Sequence, residues 1–282
     1  MKFTDEVLAW WPSVARDLPW RRTRDPWSVL VSEIMLQQTQ VDRVIPKWEA
    51  FLARFPTVEA AAHAPLGDLL ELWSGLGYNR RAKYLHDCAV TVCAEFDGVF
   101  PESLAALQTL PGIGPYTARA VLAFAFERDV AVVDTNVGRV LARVEGRQLS
   151  AREVQAAADS LVPAGSAWRW NQALLDFGAL ICRKRGPACA ECPVRRSCGW
   201  AGAGADPAVG SAAVSTPQSR FEGSDRQGRG RLINELRSGP IGVSAAPVAM
   251  GWPDDPERAA KVIEGLLSDG LVVRTGAKLS LP

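Results

Sequence analysis

The chain has 282 residues and only two histidines, His63 and His86. That scarcity excludes a histidine-rich metal centre and argues against a Ser-His-Asp triad. An excess of one charge sign is missing too: 32 Lys and Arg stand against 31 Asp and Glu, a net charge of +1. This balance excludes a histone-like binder held by bulk charge, although local basic stripes remain open. No apolar run reaches the ~18 residues of a membrane span. The opening residues, Met1 to Glu6, lack the layout of a secretion signal. The expectation is a cytoplasmic protein, nucleoid-associated if bacterial, with no membrane contact. Sustained period-2 alternation is scarce, and there is no internal repeat of fixed period.

Hydrophobic residues make up 48% of the chain, enough for a true core. Their spacing is helical in segments such as Val29-Leu30-Ile34-Leu36, Leu69-Leu70-Trp73 and Ala120-Val121-Ala123-Phe124. Residues 1–200 therefore read as mainly α. From Ala201 to Gln218 the text turns to Ala, Gly, Pro and Ser, which reads as a linker. Residues 219–282 regain an apolar pattern and end on Leu271-Val272-Val273, a glycine turn and Leu279-Ser280-Leu281. Helices followed by a short hairpin predict a winged-helix-like module, separate and flexibly tethered.

Six cysteines fall into two groups. Cys88 and Cys93 read as small buried hydrophobes. Cys182, Cys189, Cys192 and Cys198 lie close together, spaced x6, x2 and x5. A disulfide framework does not suit a chain without a secretion signal. Four nearby thiolates suit a soft metal centre. One short pair with longer arms favours an iron-sulfur cubane, with structural zinc as the alternative. Arg183, Lys184 and Arg185 lie between the first two cysteines and suit a phosphate contact.

Leu110-Pro111-Gly112-Ile113-Gly114-Pro115-Tyr116-Thr117 lies between helical stretches. Gly112 and Gly114 permit a tight hairpin with outward N–H groups, and Pro115 suits the first helical position after it. Such a hairpin grips a DNA backbone without reading sequence. Glu33 sits among Val29, Leu30 and Leu36 on a helix, so desolvation should raise its pKa and fit it for general acid work. Asp134 reads as an N-cap before Thr135-Asn136-Val137, so cap bonds should lower its pKa and keep it ionised. One neutral acid and one anion form a split pair.

The hairpin, Asp134 and the four-cysteine spacing together resemble the helix-hairpin-helix base-excision glycosylases with an iron-sulfur cluster. Leu18-Pro19-Trp20-Arg21, Glu33-Ile34-Met35-Leu36-Gln37-Gln38-Thr39 and Gly75-Leu76-Gly77-Tyr78 are similar to the adenine DNA glycosylases of the MutY type. The resemblance covers about residues 1–200. It implies a two-lobed helical fold, with a six-helix lobe over about 26–133 (hairpin 110–117) and a cluster lobe over 1–25 and 134–200. It also implies a [4Fe-4S] cluster on Cys182, Cys189, Cys192 and Cys198, and double-stranded DNA with a mispaired adenine as partner, bound by a monomer.

The roles it implies are Glu33 as the acid acting on adenine and Asp134 as the anion beside the sugar cation. Asn136 and Tyr116 would support them. Arg16, Trp20, Arg21 and Leu36 would line the adenine, with Gln38 and Tyr78 as wedges and Gln37 beside them. Tyr116 stands where strand-nicking relatives carry a lysine, which implies an abasic product without strand cleavage. Arg80, Arg81 and Lys83 suit phosphates, as do Arg226, Arg229, Arg231, Arg274 and Lys278 of the tail. The large lesion-checking domain of many such enzymes has no counterpart here, so only modest discrimination of 8-oxoguanine from guanine is expected. The competing readings are a thymine or uracil mismatch glycosylase and a non-enzymatic iron-sulfur DNA-binding regulator.

Overall fold

The computed structural model describes residues 3–214 and 220–282. Its helices are α1 Phe3–Trp10, α2 Pro26–Leu36, α3 Val41–Arg54, α4 Val58–Ala62, α5 Leu66–Leu72, α6 Arg80–Glu95, α7 Leu104–Leu107, α8 Pro115–Phe124, α9 Thr135–Glu145, α10 Ala151–Ser160, α11 Ala167–Leu180, α12 Asp225–Leu236, α13 Ala246–Met250 and α14 Pro256–Ser268. The strands are β1 Ile241–Gly242, β2 Val273–Thr275 and β3 Lys278–Ser280. Among the described residues, no helix is long and apolar enough to cross a membrane.

The chain divides into two compact units. One comprises Met1–Val29, Glu102–Gln108 and Ile113–Pro217; the other comprises Leu30–Pro101, Thr109–Gly112 and Gln218–Pro282. This differs from the expected lobes, because α7 and α8 belong with the cysteine-bearing unit. The reason is the composition of α8, whose Thr117, Ala118 and Ala120 to Phe124 are all buried. A helix apolar around most of its circumference must be covered on several sides.

The second unit has an aromatic centre. Phe51 packs edge-on against Phe55 at 5.1 Å and against Trp73 at 6.2 Å, with Leu69, Leu70 and Leu85 buried in the same unit. The C-terminal segment does form the expected winged-helix-like arrangement. Strands pair antiparallel in the order β1-β3-β2, with Ile241 opposite Leu279 and Thr275 opposite Lys278. Its isolation is the part that fails. Arg237 donates to the Leu70 carbonyl at 2.9 Å and to Ser74 at 3.1 Å, and Asp269 binds both Arg80 and Arg229.

The first unit packs Phe3, Val7 and Trp11 against Trp170 and Phe177. Phe3 meets Trp170 edge-on at 5.8 Å. The stretch expected to be a linker is mostly fixed to this unit. Asp206 pairs with Arg143 at 2.6 Å, and the Ala212 N–H donates to the Leu149 carbonyl at 2.9 Å. Residues 215–218 of that stretch lie outside the described residues.

The apolar run from Val130 to Val133 forms neither helix nor strand, and among the described residues it pairs with no strand. Side chains take several of its backbone groups. Asn171 accepts from the Val132 N–H at 2.8 Å and donates to the Val130 carbonyl at 2.9 Å, while Asp159 accepts from the Ala131 N–H at 3.3 Å. Asn171 is 1% exposed, so water cannot replace it. Asn171→Leu should orphan two backbone groups at about 1–3 kcal/mol each and lower the urea midpoint accordingly. A midpoint matching the unaltered chain would show that the run is held by packing alone.

Candidate active site

The run ends at Asp134, which caps α9. Its Oδ1 accepts from the Asn136 N–H at 2.8 Å and the Val137 N–H at 2.7 Å, and its Oδ2 accepts from Asn136 Nδ2 at 2.7 Å. The cap is as expected, but the expected lowering of the pKa is not. Burial pushes the Asp134 carboxyl up and outweighs the bonds from Val137 and Asn136 and the Arg139 charge, which pull it down. Counting the cap alone omits the cost of taking a carboxylate out of water.

Asn136 is itself held. Its Oδ1 accepts from Arg139 Nη2 at 2.8 Å, and Arg139 also donates to the carbonyls of Gly178 and Cys182, both at 2.7 Å. A Cβ on Gly178 would lie 2.7 Å from the Asn136 Cβ. Glycine at this position is what lets α11 approach the start of α9.

Asp176, unnoticed in the sequence, organises the residues expected to line the adenine. It is fully buried. Arg21 binds it through both Nη atoms at 2.8 Å, Arg16 Nε donates to it at 2.6 Å, and Trp11 Nε1 at 2.9 Å. Burial works to raise its pKa, yet Arg21, Trp11 and Arg16 together hold it below the usual carboxylate value. Arg16 and Arg21 therefore direct these donors to Asp176. Trp20 lies buried between them in sequence. The available signal was a lone acid in the apolar run Leu174-Leu175-Asp176-Phe177.

Glu33 is 7% exposed on α2, beside the fully buried Leu30. Leu36 closes that helix, and Gln37 and Gln38 form the turn after it. Gln38 has φ 57° and Tyr78 has φ 48°. Left-handed backbone at non-glycine residues costs roughly 1–2 kcal/mol each and commonly marks a functional site. Arg81 ties the two turns together. Its buried guanidinium donates to the carbonyls of Ile34 at 2.8 Å, Gln37 at 2.5 Å, Leu76 at 3.0 Å and Gly77 at 3.1 Å. Burial pulls its pKa down to about 10. This corrects its expected role at phosphates. Arg80 is bound to Asp269 and Lys83 to Asp87.

Gly112 turns the hairpin with φ +74°, and a Cβ there would meet Tyr84 at 2.6 Å. Gly114 needs no special backbone, since its φ is −87° as the N-cap of α8. Open space above it lets the backbone be approached. Tyr116 is half-buried in the first turn of α8.

Cys182, Cys189, Cys192 and Cys198 all line one space in the first unit. Burial pushes the Cys192 thiol up to about 11, and the other three cysteines add to that rise. Arg143 counters this charge. Its Nη1 lies 3.4 Å from Cys182 Sγ and donates to the Arg183 carbonyl at 2.8 Å. Arg183, Lys184 and Arg185 are exposed. Cys88 is buried, as expected, with its thiol raised to about 12 by burial.

Residues 31–164 match the sequence profile of the HhH-GPD superfamily of base excision DNA repair proteins. The chain is 44% identical to the adenine DNA glycosylase of Mycolicibacterium smegmatis, covering 96% of this chain and 92% of that one. It is 38% identical to the human adenine DNA glycosylase over 70% of this chain and 39% of that protein. A solved thermostable thymine-DNA glycosylase superposes with a TM-score of 0.68 at 32% identity, over 71% of this chain and 95% of that one. An endonuclease III–DNA complex shares the fold, with a TM-score of 0.63. The chain thus belongs to the HhH-GPD superfamily of base excision DNA repair proteins.

Proposed function

We propose that this chain is an adenine DNA glycosylase of base excision repair. It hydrolyses the N-glycosidic bond of adenine opposite 8-oxoguanine or guanine in double-stranded DNA and leaves an abasic site. The observation that carries the reading is two carboxylates in unlike surroundings. Glu33 is buried on an apolar helix, and Asp134 sits inside a set of donors. Names of relatives such as the Mycolicibacterium smegmatis enzyme support the same base.

Adenine leaves readily only after a ring nitrogen is protonated, and Glu33 in its acid form supplies that proton. Positive charge then develops on the sugar at C1′ and its ring oxygen. Asp134, ionised, stabilises that charge or bonds C1′ until water replaces it. The Asn136 amide holds the anion, and Arg139 holds Asn136. Trp20 and Leu36 offer flat and aliphatic walls to the base. Arg16 and Arg21 fix the Trp20 segment through Asp176. Gln38 and Tyr78 enter the helix where the base has left it. Tyr116 carries no amine, so no Schiff base forms and the strand stays intact. The hairpin N–H groups near Gly112 and Gly114 and the Arg183-Lys184-Arg185 loop meet phosphates.

Cys182, Cys189, Cys192 and Cys198 would hold a [4Fe-4S] cluster. Four thiols around one space, with Arg143 beside them, fit that group. When bound, the group supplies a rigid tether for the basic loop.

Glu33→Gln should cut single-turnover adenine release by about 10²–10⁴-fold while band-shift affinity for the mismatched duplex persists. Release at the normal rate would remove Glu33 from the chemistry. A panel of thymine and uracil opposite guanine decides the competing substrate; faster release of either than of adenine would replace this reading.

Activity needs Asp134 deprotonated, and its pKa is raised. Release should therefore fall as pH drops through a value above the ordinary carboxylate pKa of about 3.9. Asn136→Ala removes a bond favouring the anion, so this acid limb should move to higher pH. A limb that stays in place would unlink Asn136 from the anion.

Purified protein should be brown with about four irons per chain, and Cys192→Ser should lose iron and weaken DNA binding. Colourless protein with stoichiometric zinc would defeat the cluster assignment.

A further inference from the structure

Asp269 stands where its own helix disfavours it. It is the C-cap of α14, and a helix turns its negative end outward there, against a carboxylate. A pair of arginines from elsewhere in the second unit holds it. Arg80, at the start of α6, donates to its Oδ1, and Arg229, on α12, donates to its Oδ2. Burial works to raise the Asp269 pKa, yet these two cations keep it below the usual carboxylate value. The group is therefore an anion near neutral pH.

A clamp between the winged-helix-like module and α6 would be the plain explanation. Three features go beyond it. The module is already anchored by Arg237, which donates to the Leu70 carbonyl and to Ser74. Each guanidinium also gives Asp269 a single donor out of a fork that holds several, and among the described residues neither donates to any other group. Arg81, by contrast, spends its donors on backbone carbonyls. The Arg80 side chain is 55% exposed, so its spare donors meet solvent. Finally, Arg229 has a gap made for it. A Cβ on Gly265 of α14 would lie 3.1 Å from Arg229 Nη1, and glycine inside a helix is otherwise a poor choice.

Two converging, under-used guanidinium groups suit an anion with two oxygens on one atom. A carboxylate is one such anion and a phosphodiester is another, and arginine binds both with the same fork. The surroundings favour a polyanion, since arginine outnumbers acid seven to two along the cleft that Arg80, Arg229 and Asp269 line. Arg80 follows Tyr78 by two residues, so a duplex that receives Tyr78 carries its backbone past this pair.

We propose that Arg80 and Arg229 form a binding site for a DNA backbone phosphate, and that Asp269 fills it in the free protein as an internal stand-in which the phosphate displaces; this rests on the DNA-repair reading above, though not on which base is removed. Ion pairs with this much exposure are weak, so the exchange costs little. Asp269 itself lines the open cleft, where water takes over the carboxylate once its partners turn to DNA. The contact holds the backbone and reads no sequence.

The test is the dissociation constant of the full chain for one mismatched duplex, measured by fluorescence anisotropy over a range of salt. Asp269→Asn keeps the shape and removes the competing charge, so it should tighten binding by about threefold or more. Arg80→Gln and Arg229→Gln should each weaken binding. Together they should flatten the plot of log Kd against log salt by about 0.9, the share of one phosphate. On that double background Asp269→Asn should tighten binding far less, because the pair it blocks is gone. A simple clamp predicts the opposite sign, since freeing the module would loosen the DNA surface. Weaker or unchanged binding in Asp269→Asn, an equal gain on both backgrounds, or an unchanged salt slope in the double arginine variant would each overturn the site. The arginine variants, altered at solvent-reached side chains, carry the test even if Asp269→Asn fails to fold. No binding of any duplex by the unaltered chain would instead defeat the DNA-repair reading, and this site with it.

Discussion

The carbonyl oxygen of Cys182 is shared by two arginines one turn apart on α9. Arg139 donates to it at 2.7 Å and Arg143 at 3.3 Å. From this point the first unit is organised in both directions. Toward the start of α9, Arg139 fixes Asn136, and Asn136 fixes the Asp134 carboxylate. Toward its end, Arg143 clamps Asp206 and covers the Trp200 ring at 4.6 Å. Two buried cations four residues apart repel each other. Asp206 offsets part of that charge, and thiolates in place of thiols would offset more. The cysteine loop and the capping carboxylate thus share one electrostatic framework.

The second unit solves a different problem. Its two functional turns, at Gln37-Gln38 and Gly77-Tyr78, lie about forty residues apart in sequence and are joined by side chain to backbone bonds from one buried arginine. Gln38 and Tyr78, both left-handed, each follow a residue whose carbonyl Arg81 holds. The C-terminal module adds its own contact to the same turn, through Arg226. A small module can therefore affect the wedge region without contributing to the chemistry.

Much of this was legible in the sequence wherever a local pattern carried it. The spacing of Cys182, Cys189, Cys192 and Cys198 was sufficient to group them. Asp134 before Thr135-Asn136-Val137 was sufficient to call a cap. What escaped depended on distant partners. Nothing near Arg16 or Arg21 announces Asp176, some 160 residues away. Arg81 looks like any exposed helix cation until its carbonyl partners are known. The Ala-Gly-Pro stretch reads as linker because its anchor, Arg143, lies 63 residues before Asp206. The pKa of Asp134 was misjudged for a similar reason: a cap is a local feature, but burial is set by the whole unit.

The irregular run from Val130 to Val133 bears on the protein's behaviour at high concentration. An apolar segment with open backbone groups is a template on which another chain can build a strand, and natural proteins usually blunt such edges with charge or proline. Here the groups are occupied by Asn171 and Asp159, side chains anchored on neighbouring helices. A second molecule would have to expel these partners before it could pair. The segment that delivers Asp134 to its place thus has these backbone groups paired within its own chain.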